Sequence, residues 1–144
     1  MKLYLDTSAL LKLYVEEADS DFVERAVKDA EITATSILTY VETKSAFSRR
    51  RRDGSLTLVS YHRGVREFER DWPKYFVIPV TDSLVQSAGK LAESQGLRAY
   101  DALHLASAVL FRDKTEPPVV FGCWDFRLES AARRQGLQLL RPVP

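Results

Sequence analysis

The sequence predicts an α/β fold: a three-layer α/β/α sandwich with a short parallel sheet, formed by residues 1–144 as a single domain. Two observations predict it. Apolar runs of strand length alternate with longer stretches of helical period, a pattern that sets strands parallel and puts their right-handed crossover helices on both faces of the sheet. The chain also holds no internal repeat, no low-complexity tract and no linker long enough to divide it, and 144 residues with 45% apolar side chains can bury a core unaided.

Taken in order, KLYL (2–5) reads as the first buried strand, followed by a helix from about Ser8 through SALLKLYV. ITAT (32–35) is the second strand, with a helix beginning near Ser36. About forty residues, Ser36 to Lys74, then precede the third strand and leave room for two helices. Asp53-Gly54-Ser55 is their hinge, since Gly stops a helix and Asp or Ser starts one. YFVIPV (75–80) is the third strand, with a helix from about Asp82 that Glu93-Ser94-Gln95-Gly96 ends. Another helix begins near Leu97, and Glu116-Pro117-Pro118 stops it, because proline supplies no N–H to a helix interior. PVVFGCW (118–124) is the fourth strand, Asp125 opens the next helix, and QLLRP (138–142) closes the sheet.

Composition narrows the function. Twenty-one basic against 20 acidic side chains leave a formal charge of +1, so no global field attracts nucleic acid and any such binding depends on a local patch. Cys123 is the only cysteine, which excludes an intrachain disulfide and a cysteine-based zinc cluster and suits a reducing compartment. The opening MKLYLD carries no extended apolar leader, and ALHLASAVLF is half of the ~20 residues a membrane span needs. A cytoplasmic protein without a membrane segment is therefore expected.

Four carboxylates stand in places that ask for a reason. Asp6 and Asp125 fall at the carboxyl ends of the first and fourth strands, where ligands collect in parallel α/β sheets, although each would also serve as a helix N-cap. Asp101 lies on a helical face with Leu97, Leu105 and Ala108, and burying it ionised requires a cation, hydrogen bonds or an ion pair to an arginine such as Arg98. Glu42 borders an apolar stripe between Leu38 and Ala46, as glutamates on amphipathic helices often do. Four acids in one crevice would repel one another, and oxygen-only ligation of a hard cation, Mg²⁺ with Mn²⁺ as an alternative, relieves this. Metal-assisted hydrolysis is the chemistry that then fits.

Through LYLDTSALLKLY, TATSILTYVE, LRAYDALHLASA and CWDFRLESAARRQGL, the chain resembles PIN-domain ribonucleases, and among them VapC-type toxins of bacterial and archaeal toxin–antitoxin pairs. The resemblance implies that Asp6, Glu42, Asp101 and Asp125 form the acidic metal-binding cluster. It implies that Ser8 steadies Asp6, with Thr7 at a less discriminating position. One departure is Cys123, which stands where a Ser or Thr often precedes the last acid and is the poorer hydrogen-bond donor. The family implies a PIN-like α/β/α sandwich, an RNA substrate such as transfer or ribosomal RNA, a VapB-type antitoxin as partner and a homodimer. The antitoxin is expected in a hydrophobic groove near the N-terminal helices, where Tyr14, Tyr61, Phe68 and Trp72 otherwise read as core.

Other groups receive two readings. Arg49 to Arg52 either contact RNA phosphates or simply solvate a helix end, where cations favour the dipole. His104, three residues after Asp101, either packs in its helix or approaches the acids, while His62 supports no assignment. A haloacid dehalogenase-type phosphatase would need a second Asp where Ser8 stands, and a receiver domain an adjacent acidic pair. The alternative of another class is a catalytically silent PIN-like scaffold that binds RNA or protein.

Overall fold

In the computed structural model, which describes residues 1–116 and 118–143, five parallel strands form one sheet. They are β1 (Lys2–Leu5), β2 (Ile32–Ser36), β3 (Phe76–Ile78), β4 (Val119–Gly122) and β5 (Gln138–Leu139), in the order β3-β2-β1-β4-β5. The helices are α1 (Thr7–Leu11), α2 (Ser20–Asp29), α3 (Leu38–Arg52), α4 (Leu58–Asp71), α5 (Asp82–Gln95), α6 (Ala99–Lys114) and α7 (Phe126–Arg134). The expected α/β/α sandwich with a short parallel sheet is therefore present.

Its layers follow from strand chemistry. Side chains of a strand alternate between faces, so Leu3 and Leu5 pack with α1 to α4, while Tyr4 packs on the other face with α5, α6 and α7. The first two crossovers step outward from β1 to β2 and β3; the last two return across the sheet to β4 and β5. Right-handedness then puts the two sets of helices on opposite faces. Register places Tyr4 opposite Ala34 on one side and Phe121 on the other, and Tyr4 and Phe121 stack with ring centroids 5.6 Å apart.

Several boundaries differ from those the sequence predicts. The helix expected from Ser8 through SALLKLYV ends at Leu11, and a second helix, α2, precedes β2. Between them the Lys12 ammonium donates to Glu17 and to the Ala18 carbonyl, while Ser20 accepts from the Glu17 N–H and donates to the Val15 carbonyl. Those bonds hold a compact loop against helical continuation. YFVIPV shortens to Phe76–Ile78: Tyr75 closes a 3₁₀ turn over Trp72–Lys74, and Pro79 has no N–H to give a ladder. β4 stops at Gly122, freeing Cys123 and Trp124 to carry the chain to Asp125. The Asp53-Gly54-Ser55 hinge and the Gly96 helix stop fall as expected, both glycines with positive φ. Of the expected Glu116-Pro117-Pro118 turn, Pro117 lies outside the described residues.

Candidate active site

A sheet wound in both directions opens a crevice beyond the carboxyl ends of the strands where the direction reverses, here β1 and β4. Asp6 follows β1, with its N–H donating to the Gly122 carbonyl at 3.0 Å, so the two strand ends are tied together at the crevice floor. The crevice is a pocket of about 340 Å³, and Asp6, Glu42, Asp101 and Asp125 all line it, as do Thr7 and Ser8. All six residues singled out from sequence are thus neighbours, though they come from β1–α1, α3, α6 and the β4–α7 turn.

Asp6 and Asp125 are both helix caps and pocket residues. Asp6 accepts through Oδ1 from the Ala9 N–H at 2.9 Å and the Ser8 hydroxyl at 2.7 Å. Asp125 accepts through Oδ1 from the Leu128 N–H at 2.9 Å. Capping takes one oxygen from each carboxylate and leaves Oδ2 of each without a role in the cap. Burial raises the Asp6 carboxyl above the usual aspartate range, only partly opposed by His104 and the two hydrogen bonds, and Asp101 adds to the rise.

Glu42 sits on α3, one turn in from its start, held by two donors. Thr7 Oγ1 donates to its Oε1 at 2.7 Å, and His104 Nε2 lies 2.9 Å from the same oxygen. The buried imidazole in turn has Nδ1 2.9 Å from the Tyr4 hydroxyl. Both ring nitrogens are thus engaged, Nδ1 by the Tyr4 hydroxyl and Nε2 by Glu42, in a hydrogen-bonded chain from core to pocket. Burial alone would raise the Glu42 carboxyl; the bonds from His104 and Thr7 outweigh it and hold Glu42 below the ordinary glutamate range.

Asp101, on the first turn of α6, is raised by burial first and by Asp125 second. Arg98 opposes this: its Nε stands 3.5 Å from Asp101 and its Nη2 3.8 Å from Asp125, so one guanidinium bridges both acids. The arginine expected as a partner for Asp101 is therefore present. Among the described residues no three His, Cys, Asp or Glu side chains are arranged to hold an ion as they stand. The donor chemistry nonetheless fits a hard cation. Every acid in the pocket offers oxygen, the one imidazole there is engaged by Tyr4 and Glu42, and the buried Cys123 turns its Sγ to the Asp125 carbonyl. An ion would have to take over from Arg98 between Asp101 and Asp125.

Three residues matter here more than the sequence indicated. Thr7 holds Glu42 directly, His104 both packs and reaches the acids, and Trp124 lines the pocket beside Asp125. The i, i+3 spacing from Asp101 to His104 was the available signal; nothing in local pattern marked Trp124. Of the arginine run, Arg50 donates to Glu17 from both terminal nitrogens at 3.2 Å, Arg51 lies over the Tyr61 ring and Arg52 donates to Ser48. Arg49 is exposed and, among the described residues, has no carboxylate within ion-pair distance. Phe68 and Tyr14 are buried, with Tyr61 and Trp72 packed beside them, so these aromatics are core. No helix among the described residues is long and apolar enough to cross a membrane.

The PIN domain family model matches residues 3–115. Ribonuclease VapC45 of Mycobacterium tuberculosis is 31% identical over 137 residues, 95% of this chain and 93% of the relative. Among solved structures, a toxin–antitoxin complex from Klebsiella pneumoniae superposes with a TM-score of 0.61 at 18% identity, over 85% of this chain and 86% of that one. VapC20 of Mycobacterium tuberculosis, described as a toxin that cleaves the sarcin–ricin loop, has a TM-score of 0.65 at 18% identity, over 90% and 94% of the two chains.

Proposed function

This chain belongs to the PIN-domain family, and on that premise we propose that it is a metal-dependent endoribonuclease, the toxin of a VapBC-type toxin–antitoxin pair. The observation that carries the reading is the convergence of Asp6, Glu42, Asp101 and Asp125 on one pocket at the reversal point of the sheet. The ribonuclease name of the 31% identical relative supports RNA as substrate. Its loops or single-stranded stretches, in transfer or ribosomal RNA, are the targets the family resemblance indicates. The toxin–antitoxin complex of similar fold supports an antitoxin partner, and a VapB-type antitoxin and a homodimer are the assembly we expect.

Asp6, Asp101 and Asp125 would hold Mg²⁺, or Mn²⁺ in its place, with Glu42 as a further ligand or as the residue that orients the attacking water. When bound, the cation lowers the pKa of that water and offsets charge building on the phosphoryl oxygens. Ser8 and the Ala9 N–H keep Asp6 in one orientation, so the carboxylate is placed without a search for the right rotamer. Thr7 and His104 do the same for Glu42 by engaging Oε1 alone. Arg98, four-fifths exposed at the pocket mouth, can turn from the acids to a phosphate oxygen. In-line attack joins the water oxygen to phosphorus and breaks the bond to O3′, which takes a proton. The products are a 5′-phosphate and a 3′-hydroxyl.

Purified protein is expected to cut RNA in Mg²⁺ or Mn²⁺ and to stop in excess EDTA, with 5′-phosphate ends and no cutting by Asp101→Asn. Full cleavage in EDTA, or undiminished cleavage by Asp6→Asn, overturns the reading. Expressed alone in a host cell, the wild-type chain should arrest growth and Asp101→Asn should not; two harmless proteins would favour a silent scaffold.

A further inference from the structure

We propose that the groove running from the acidic pocket along α3 is a nucleotide subsite, in which Trp124 stacks on an unpaired base and Arg49 takes the adjoining phosphate. The proposal rests on the RNA reading above and adds to it a place for the nucleotide beside the cut.

The groove has a volume of about 640 Å³ and shares Thr7, Ser8, Glu42 and Trp124 with the smaller acidic pocket. A strand whose phosphate lies at the acids therefore has its neighbouring nucleotide in the groove. Trp124 stands at the junction, one residue before Asp125, and its ring is fixed. The indole N–H donates to Asp19 at 2.9 Å, and the Lys12 ammonium lies 5.0 Å from the ring centroid. Lys12 is itself almost buried, and that costs free energy unless its charge is compensated. Glu17 compensates it at 3.3 Å and is closed from the other side by Arg50. A chain of Arg50, Glu17 and the nearly buried Lys12 thus holds one aromatic ring at the edge of the acidic pocket.

The chemistry of the groove selects its occupant. Lys12 and Arg50 share the Glu17 carboxylate, whereas Arg49 lines the groove with no carboxylate within ion-pair distance among the described residues. A second ring, Tyr100, and the exposed Val41 also line it. Aromatic faces with one free guanidinium complement the alternating bases and phosphates of a single strand. Base pairing and stacking hide base faces in a duplex, so the subsite admits only unpaired nucleotides. Stacking tolerates any base, which leaves sequence choice to other contacts.

The test uses the full Asp101→Asn chain, which binds without cutting, and a mixed-sequence single-stranded RNA of about 12 nucleotides. Tryptophan fluorescence should be quenched on binding and the quenching lost in Asp101→Asn/Trp124→Phe, whose affinity stays close to the parent's. Trp124→Ala should weaken binding about tenfold, the loss expected from removing one base–aromatic stack. Tyr100→Ala should weaken it less. Arg49→Gln should make the log affinity against log salt slope shallower by about 0.7, one phosphate contact on a single strand. Quenching that persists without Trp124 overturns the proposal. So does RNA affinity indifferent to Trp124, Tyr100 and Arg49, which would give the groove to a protein segment. Tyr100 and Arg49 are exposed and the phenylalanine variant keeps a ring, so these arms decide the matter even if Trp124→Ala does not fold. Ion-dependent cleavage with Trp124-independent binding removes the subsite alone, whereas absence of both cleavage and RNA binding removes the RNA reading with it.

Discussion

Glu42 illustrates how much a single carboxylate depends on residues distant in sequence. Its low ionisation range comes from Thr7 and His104, and His104 is held in turn by Tyr4. In His104→Ala the buried Tyr4 hydroxyl loses its imidazole partner and a new cavity opens beside it. We expect a stability loss of ~2–4 kcal/mol, read as a lower urea midpoint at unchanged m value. Arg98 acts in the opposite sense, as a cation already standing where an ion would be attracted. Removing one positive charge at about 4 Å from a divalent ion in a solvated pocket should tighten Mn²⁺ binding by Arg98→Ala about thirtyfold at low salt, measured by calorimetry. Unchanged or weaker binding would show that Arg98 does not compete for Asp101 and Asp125.

Elements meet where side chains are absent. Gly64 on α4 faces Phe47 of α3 and the Tyr14 carbonyl, and an added Cβ would come within 2.8 Å of the Phe47 ring and 3.0 Å of that oxygen. Alanine favours a helix over glycine by about 1 kcal/mol, yet overpacking against a buried ring and a backbone oxygen costs ~1–3 kcal/mol. Gly64→Ala should therefore lower stability, with thermal melting as the measurement; a rise would mean that α3 and α4 can move apart freely. Gly96 plays another part. Its φ of 65° ends α5 in the left-handed region and delivers Leu97 to the core just before α6, which positions Arg98 and Asp101 at the pocket.

On the scale of the whole molecule, three elements are joined far from the acids by a buried polar knot. Tyr14, in the loop after α1, donates to Asp71 of α4 at 2.9 Å, and its hydroxyl meets that of Tyr75, which leads into β3. Burial, with Asp71 adding to it, pushes Tyr75 up to about 12, and burial raises Tyr14 further. A tyrosine whose folded pKa lies above its unfolded value of about 10 contributes stability in full below pH 10. That contribution is lost as pH climbs toward the folded value, because the unfolded chain releases its proton first. Stability should fall steeply between pH 10 and 12, and Tyr75→Phe should make the fall shallower in denaturant titrations across that window.

The alternation of apolar runs with helical stretches was legible because strand and helix periods are local properties of the chain, and it led to the parallel sheet and its helices on both faces. Asp6 and Asp125 could be located at strand ends for the same reason, as could the stops at Gly54 and Gly96. The break between α1 and α2 was not legible: it depends on Lys12, Glu17 and Ser20 bonding within a folded loop, and KLYV is apolar enough to continue a helix. Nor could local pattern divide Arg49 from Arg50, or choose between cap and pocket for the two aspartates. Only the tertiary structure decided that each aspartate both caps a helix and lines the crevice, and that Tyr4 and His104, a hundred residues apart, hold Glu42. Periodicity and capping act over a few residues and are written in the chain. The relative placement of four carboxylates, an arginine and a tryptophan arises from the reversal of strand order between β1 and β4, which exists only once the sheet is built.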